Sequence, residues 1–265
     1  MDLNLVQKTV IVTGGGSNIG RGIVLGFAKE GANIVIADID KGQANKVAAE
    51  ASALGGRAMA IKCDVTDIDS VMHLTKRTLK EFGKIDVLVN NVGWVMYNTF
   101  RRKSLAECDK EISLNIWSAL NCTKIVLDHM IKRKYGKIIN ISSAAGLFGF
   151  RRIPVYSLCK GGILSFTKSL AHEVGQYGIN VNAICPSMTF PENQEHVGKF
   201  AMTKETSPQA SEFLPEVRDR YSKWSPLGRL CRAEDIANVA VFLASDVSSF
   251  ITGEIIPVSG GFPMI

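Results

Sequence analysis

Lys8 to Gly22, KTVIVTGGGSNIGRG, constrains this chain more than any other stretch: an apolar run breaks into glycines and then opens a helical pattern. Val10, Ile11 and Val12 are β-branched and continuously apolar, which suits a parallel strand covered on both faces. Gly14, Gly15, Gly16 and Gly20 let the backbone turn sharply and approach something large. A helix starting near Asn18 points its unpaired N–H groups and the positive end of its dipole back at the turn, an anion site made of backbone. The ligand this predicts is a pyrophosphate beside Gly14, Ser17, Asn18, Ile19 and Gly20, although glycine-rich turns also occur with no ligand. Asp38 sharpens the reading. It follows the next apolar run, Asn33 to Ala37, eighteen residues beyond Gly20, where a dinucleotide fold places the carboxylate that accepts from a ribose hydroxyl. A 2′-phosphate is repelled there and Ser17 offers no cation to hold one, so the expected cofactor is NAD and not NADP.

Beyond Asp38, strand and helix alternate. Asp40 caps a helix through Ala48 and Ala49 that stops at Gly55-Gly56. Arg57 to Lys62 is a third strand. Asp64 and Val65 follow it, and Thr66 or Asp67 caps a helix whose Val71, Leu74, Thr78 and Leu79 keep a near-helical period up to Gly83. Ile85 to Val89 is strand four, ending in Asn90-Asn91-Val92-Gly93. A loop from Trp94 to Lys103 leads to Ser104-Leu105-Ala106-Glu107, which has capping-box spacing and opens one long helix to about Lys134 with Asn115 in its middle. Strand five is Lys137 to Ile141, closed by Ser142-Ser143, and Pro154 suits the first turn of the following helix. Strand six is Ile179 to Ile184, ended by Pro186 with Thr189 just beyond. Residues 187–224 are long, polar and hold three prolines, which predicts a mobile substrate lid with some helix in it. Glu234 to Ala244 is the last helix and Glu254 to Val258 the last strand. This alternation, with no repeat or Pro-rich linker, predicts one α/β domain over 1–265: a doubly wound parallel sheet with helices on both faces and ligands at the strands' carboxyl ends.

The 265 residues, 46% of them apolar, can bury a substantial single core. No apolar run reaches the roughly 18 residues of a membrane helix, and Met1-Asp2-Leu3-Asn4 lacks the regions of a signal peptide, so a cytoplasmic protein is expected. The six cysteines make no C-x-x-C pair and the four histidines no H-E-x-x-H, and no metal is expected. The net charge of +6 is spread among acids instead of forming a basic tract, which favours an anionic small molecule over nucleic acid.

Tyr156 and Lys160 fall one turn apart on one helix face, a spacing also found in plain surface pairs. If the Lys160 ammonium and a nicotinamide cation both lie near the phenol, they favour phenolate. A fall from about 10 to about 7 requires roughly 4 kcal/mol of differential interaction. Tyr156 then exchanges a proton with a substrate alcohol or ketone while hydride moves to or from the nicotinamide, and Ser143 holds the same oxygen.

These pieces together resemble the short-chain dehydrogenase/reductase family over nearly the full length. They are Thr13-Gly14 with Gly20, Asp64-Val65, Asn90-Asn91-x-Gly93, Asn115, Ser143, Tyr156-x-x-x-Lys160, Asn182 with Pro186, and Ser259-Gly260-Gly261. The resemblance implies a seven-stranded Rossmann sheet, with Asp64-Val65 near the adenine and Asn91 near its ribose. Gly93, Pro186 and Thr189 complete the cofactor contacts. It also implies a catalytic set of Asn115, Ser143, Tyr156 and Lys160, in which Asn115 and Lys160 carry a proton relay to solvent, and tetramers formed through helix packing.

Four positions depart from the family pattern: Asn18 and Ser187 stand where glycine is usual, Val92 where alanine is, and Ser259 where aspartate is. Three of them lie on the cofactor side. They open a second expectation, a catalytically quiet subunit that pairs with an active homologue, as a homotetramer or heterotetramer component. For the substrate, Trp94 and Tyr97 stand with Arg101-Arg102, and Phe148 and Phe150 with Arg151-Arg152. An aromatic wall of Trp94 and Phe150 with a cationic rim of Arg102 and Arg151 suits a ring-bearing substrate with phosphates or carboxylates. A solvated basic surface over core aromatics is the other reading. The chain is similar in its N-N-x-G-W and S-G-G stretches to members acting on alicyclic or aromatic hydroxyacyl-CoA thioesters, which implies a ring-bearing 3-hydroxyacyl-CoA, with a general cyclic alcohol as the alternative.

Overall fold

A computed structural model describes residues 2–202, 204, 207 and 210–264. Strands and helices alternate as β1 (Thr9–Thr13), α1 (Asn18–Lys29), β2 (Asn33–Asp38), α2 (Lys41–Ala53), β3 (Arg57–Lys62), α3 (Ile68–Phe82) and β4 (Val87–Asn90). The chain continues through α4 (Leu105–Ile112), α5 (Ser118–Arg133), β5 (Gly136–Ile141), α6 (Ala145–Phe148), α7 (Pro154–Val174) and β6 (Ile179–Pro186). It closes with α8 (Pro215–Ser222), α9 (Ala233–Ala244) and β7 (Ile255–Val258). The described strands form one seven-stranded sheet in the order β3-β2-β1-β4-β5-β6-β7, and every adjacent pair is parallel. The order reverses between β1 and β4, so a crevice opens at their carboxyl ends.

Alternation along the strands builds two cores. Val10, Val12, Ile34 and Ile36 face α1, α2 and α9, whereas Ile11 and Val35 face the other layer, where α3, α5 and α7 pack. Phe27 in the first core and Met130 in the second are both fully buried, and burying each contributes roughly 1.5–3 kcal/mol. Close helix packing depends on glycine: a Cβ at Gly22 would lie 2.6 Å from the Ala233 Cβ, so α1 lies against α9.

Local chemistry sets the ends. Asp40 accepts from Gln43 N at the start of α2, Asp67 accepts from Asp69 N at the start of α3, and Gly83 ends α3 in the left-handed conformation. Ser104 and Glu107 form the capping box of α4. The single long helix expected from Ser104 to Lys134 is interrupted. Residues Ser113–Trp117 form a π turn between α4 and α5, stabilised by Asn115 Nδ2 donating to Glu111 O at 2.8 Å and Ser118 Oγ donating to Leu114 O. Strand six runs two residues further than expected, because Pro186 pairs with Val258 while its carbonyl accepts from Ala144 N. In the segment 187–224, short 3-10 turns at Gln194–His196 and Ala210–Phe213 precede α8, and residues 203, 205, 206, 208 and 209 of the expected lid lie outside the described residues. No described helix is long and apolar enough to cross a membrane.

Candidate active site

A cleft of about 570 Å³ opens at the carboxyl ends of β1, β2, β4, β5 and β6. At one end the glycine turn is closely surrounded by backbone and side chains. A Cβ at Gly20 would lie 2.1 Å from Gly14 O, and one at Gly16 2.8 Å from Asp38 Oδ2. Ser17 precedes α1 without capping it through its side chain, so N–H groups at the start of the helix face the cleft. Asp38 accepts from Gly16 N and Asp40 N, both at 2.9 Å. Burial pushes its carboxyl up from the ordinary carboxylate value, against those two hydrogen bonds. A backbone anion cradle with a carboxylate one strand over fits a pyrophosphate joined to a ribose diol. All twelve candidate cofactor residues line the cleft, from Gly14, Ser17, Asn18, Ile19 and Gly20, through Asp38, Asp64, Val65, Asn91 and Gly93, to Pro186 and Thr189. Asn91 has a more specific position than its ribose expectation: its amide donates to Thr13 O and Gly14 O, pinning the turn to the end of β4.

The departures from the family pattern are absorbed by geometry. Asn18 adopts φ 41°, the left-handed region that glycine otherwise fills, and its amide donates to Thr189 O at 3.4 Å instead of entering the turn. Val92 packs toward Gly14, where a Cβ would meet its Cγ2 at 3.1 Å, and joins the core beneath. Ser187 N donates to Val258 O and Ser259 Oγ to Pro263 O.

At the other end, β5 and α7 bring three of the four candidate catalytic residues to the surface of the cleft. Pro154 is the first residue of α7, so Tyr156 and Lys160 follow on one face. The Ser143 hydroxyl hydrogen-bonds the Tyr156 phenol, and Lys160 Nζ donates to Ile141 O at 2.9 Å while standing 5.6 Å from the centre of the Tyr156 ring. Burial pushes the Tyr156 phenol up to about 12 despite the Ser143 bond, and pushes the Lys160 ammonium down to about 8. The protein's own groups therefore hold Tyr156 protonated, and the phenolate argued from the sequence needs a further positive charge. Asn115, fully buried, lies behind the cleft and not on its lining. Its amide donates to Trp94 O at 2.6 Å, and a Cβ on Gly93 would meet both Lys160 Nζ and Asn115 Oδ1 at about 3 Å.

The Tyr156 end of the cleft is walled by aromatics. Trp94 and Phe150 line it as expected, with Tyr97 and Phe148. The sequence reading missed Phe262, which meets Phe148 edge-on at a centroid distance of 5.9 Å, and Trp224, which lies 5.8 Å from Phe150 and 5.3 Å from Phe262, and the lining residues Met188, Met202 and Lys110. Distances in sequence hid them, since the C-terminal tail and the 187–224 segment reach the wall only by folding back. Arg102 and Arg151, expected as a cationic rim, are both exposed and stand outside the cleft lining, Arg102 in a 3-10 turn and Arg151 beside the left-handed Arg152. Lys110, held 4.6 Å over the Trp94 ring, and Lys160 are the cations of the lining. A separate open hollow between α2 and residues 194–204 is mixed in charge and shares no residue with this cleft.

Residues 14–263 match the family described as Enoyl-(Acyl carrier protein) reductase. The chain is 39% identical over 263 residues to 1,6-dihydroxycyclohexa-2,4-diene-1-carboxylate dehydrogenase of Acinetobacter baylyi, with 96% of each chain covered. It is 35% identical over 260 residues to (2S)-[(R)-hydroxy(phenyl)methyl]succinyl-CoA dehydrogenase subunit BbsD of Thauera aromatica, with 98% of each covered. Meso-2,3-butanediol dehydrogenase of Serratia marcescens is 35% identical over 255 residues, spanning 96% of this chain and 94% of that one.

Proposed function

The chain belongs to the short-chain dehydrogenase/reductase family, and we propose that it is an NAD-dependent dehydrogenase acting on the secondary hydroxyl of a ring-bearing substrate. The observation that carries this is the Tyr156 phenol, hydrogen-bonded to Ser143 and open to a cleft whose far end is a glycine cradle with Asp38 beside it. Bound NAD supplies the hydride acceptor. Tyr156 takes the hydroxyl proton in oxidation or donates one to the carbonyl oxygen in reduction, Ser143 orients that oxygen, and Lys160 and Asn115 form the buried ground on which the phenol is placed.

NAD is favoured over NADP by charge. Asp38, Asp40 and Asp64 line the cleft at the glycine-turn side, whereas Lys160 adjoins Tyr156 and Lys110 covers Trp94. A 2′-phosphate there meets three carboxylates, with Lys199 beside Asp40 as the cation they already partly engage. The aromatic wall favours a ring, and two relatives are named for ring-bearing substrates. Within that class we favour a 3-hydroxyacyl-CoA, whose acyl ring fits the wall while its nucleotide stays outside, toward exposed Arg102 and Arg151. A tetramer is the expected assembly, with exposed Trp117, Leu158 and Phe250 offering apolar surface.

Calorimetric titration with NAD and NADP tests the cofactor, and tighter NADP binding removes the assignment. NADH formation across a panel of hydroxyacyl-CoA esters, free cyclic hydroxy acids and plain cyclic alcohols tests the substrate class, and turnover confined to acyclic alcohols removes the ring.

A further inference from the structure

Residues 94–97 cross the substrate side of the cleft outside any strand, so their backbone groups need partners from elsewhere. Side chains of one helix and its flank provide them. Trp94 N donates to Asn115 Oδ1 at 3.2 Å, and Trp94 O accepts from Asn115 Nδ2. Two residues on, Met96 N donates to Glu111 Oε1 at 2.8 Å, and Met96 O accepts from Lys103 Nζ at 3.1 Å. Lys103 and Glu111 are themselves ion-paired, and both side chains are 0% exposed. Between and beyond these anchored positions lie Val95 and Tyr97, which pack with Phe150, Ile153, Tyr156 and Met202 around the substrate space.

A fully buried ion pair is a poor device for stability, because desolvating both charges offsets their attraction and an apolar pair of similar volume often serves as well. What an apolar pair lacks is a donor and an acceptor for Met96. Glu111 also accepts, through its backbone carbonyl, from the Asn115 amide, so one helical turn fixes Met96 by its side chain and Asn115 by its main chain.

We propose that Lys103 and Glu111 are positioning residues for the substrate pocket: by holding both backbone groups of Met96 they set how far Val95 and Tyr97 stand from Tyr156, and so which ring sizes are accepted. The inference rests on the dehydrogenase reading for its kinetic readout but has a second readout that does not. In Glu111→Ala, the KM for cyclohexanol rises roughly tenfold while that for 2-butanol, too small to touch the displaced wall, changes less than about twofold. The NAD dissociation constant, set at the other end of the cleft, stays within about twofold. Glu111→Gln keeps an oxygen for Met96 N and recovers most of the cyclohexanol KM.

Removal of one charge can unfold the chain, so the double variant Lys103→Met, Glu111→Leu is the control: it keeps the volume, drops the buried charges, melts close to wild type and shows the same selective rise in KM. A double variant with wild-type KM for cyclohexanol, or an equal rise for both alcohols, overturns the proposal. Hydrogen exchange at the Met96 amide provides the independent readout, since it accelerates at least about tenfold in the double variant and less in Glu111→Gln. Unchanged Met96 protection overturns the positioning role. Failure of the wild type to oxidise either alcohol would count against the substrate reading alone, leaving the exchange result to decide this one.

Discussion

The Ser143 hydroxyl bonds the Tyr156 phenol where the end of β5 faces the first turn of α7, and Lys160, one turn further along α7, donates to Ile141 O instead of to the phenol. The oxygen that the proposed reaction uses for proton exchange is thus held by a neutral group, with the ammonium 5.6 Å from the ring centre. Tyr156→Phe removes that oxygen and little else. Turnover should fall by roughly a thousandfold, in the range of a lost general acid or base, with NAD affinity by calorimetry within about threefold of wild type. Activity within tenfold of wild type would mean that another group exchanges the proton.

Burial holds the free Tyr156 phenol up at about 12, so the neutral form is ready for ketone reduction and the phenolate needed for alcohol oxidation must be generated. With the phenol at about 12 and the Lys160 ammonium at about 8, oxidation should accelerate as pH rises, less steeply above about pH 8 where Lys160 loses its charge, while reduction stays flat or declines. Lys160→Met, by removing the nearest positive charge the protein provides, moves the oxidation limb to higher pH. Parallel profiles in the two directions would show that Tyr156 is not the titrating group.

At the opposite end of the cleft, Gly16 and Asp38 are so close that a methyl group cannot be placed between them. Gly16→Ala should displace the carboxylate and weaken NAD binding by roughly tenfold. Asp38→Ser keeps a hydroxyl for the ribose but drops the negative charge, and should narrow the gap between NAD and NADP from both sides. Calorimetry with each nucleotide reads both effects, and an undiminished NAD preference in Asp38→Ser would locate discrimination elsewhere.

Local signals made most of this architecture legible. β3 falls on the residues expected from its apolar run, and the caps at Asp40, Asp67 and Ser104 act through side chains whose range is three residues or fewer. The glycine turn and the Tyr156–Lys160 face were readable for the same reason. The π turn at Ser113–Trp117 was not, because what widens the helix is Asn115 reaching across to Trp94, a contact between segments. Burial was equally invisible: the sequence places a cation near Tyr156, but only the fold shows that desolvation outweighs it. How far Arg102 and Arg151 stand from the cleft was not readable, because adjacency to an aromatic in sequence says nothing about which way a loop residue faces.

Those two arginines still permit a test of the acyl-CoA reading. Because they stand outside the cleft, Arg102→Ala or Arg151→Ala should leave KM for simple cyclic alcohols within about twofold. A CoA thioester, whose phosphates extend past the rim, should lose several-fold in KM at low salt and less as ionic strength rises. Equal effects on charged and uncharged substrates, or none on either, would remove the anionic tail from the substrate and leave a general cyclic alcohol dehydrogenase.

Far from the cleft, at the amino ends of the strands, His129 on α5 accepts from Ile85 N at 3.2 Å through Nε2, so this nitrogen must be unprotonated in the fold. Burial first, and the nearby Arg133 guanidinium second, push the His129 pKa below its ordinary value, against a smaller pull from Asp86. A folded value below the unfolded one means that the unfolded chain binds the proton more readily. The bond to Ile85 thus contributes fully above the unfolded histidine value of about 6.5 and is lost as pH falls through the lower folded value. Asp235 and Asp246, whose carboxyls the fold holds low, act in a separate window below about 4. Urea midpoints should stay level from pH 8 to pH 7 and decline as pH falls below about 6.5. His129→Gln, with an amide oxygen available to Ile85 N and no charge to gain, should flatten that decline while leaving the step near pH 4. If the variant loses stability in parallel with wild type as pH falls from about 6.5, above the carboxylate step, His129 is not the group responsible, and the acid sensitivity belongs to another site.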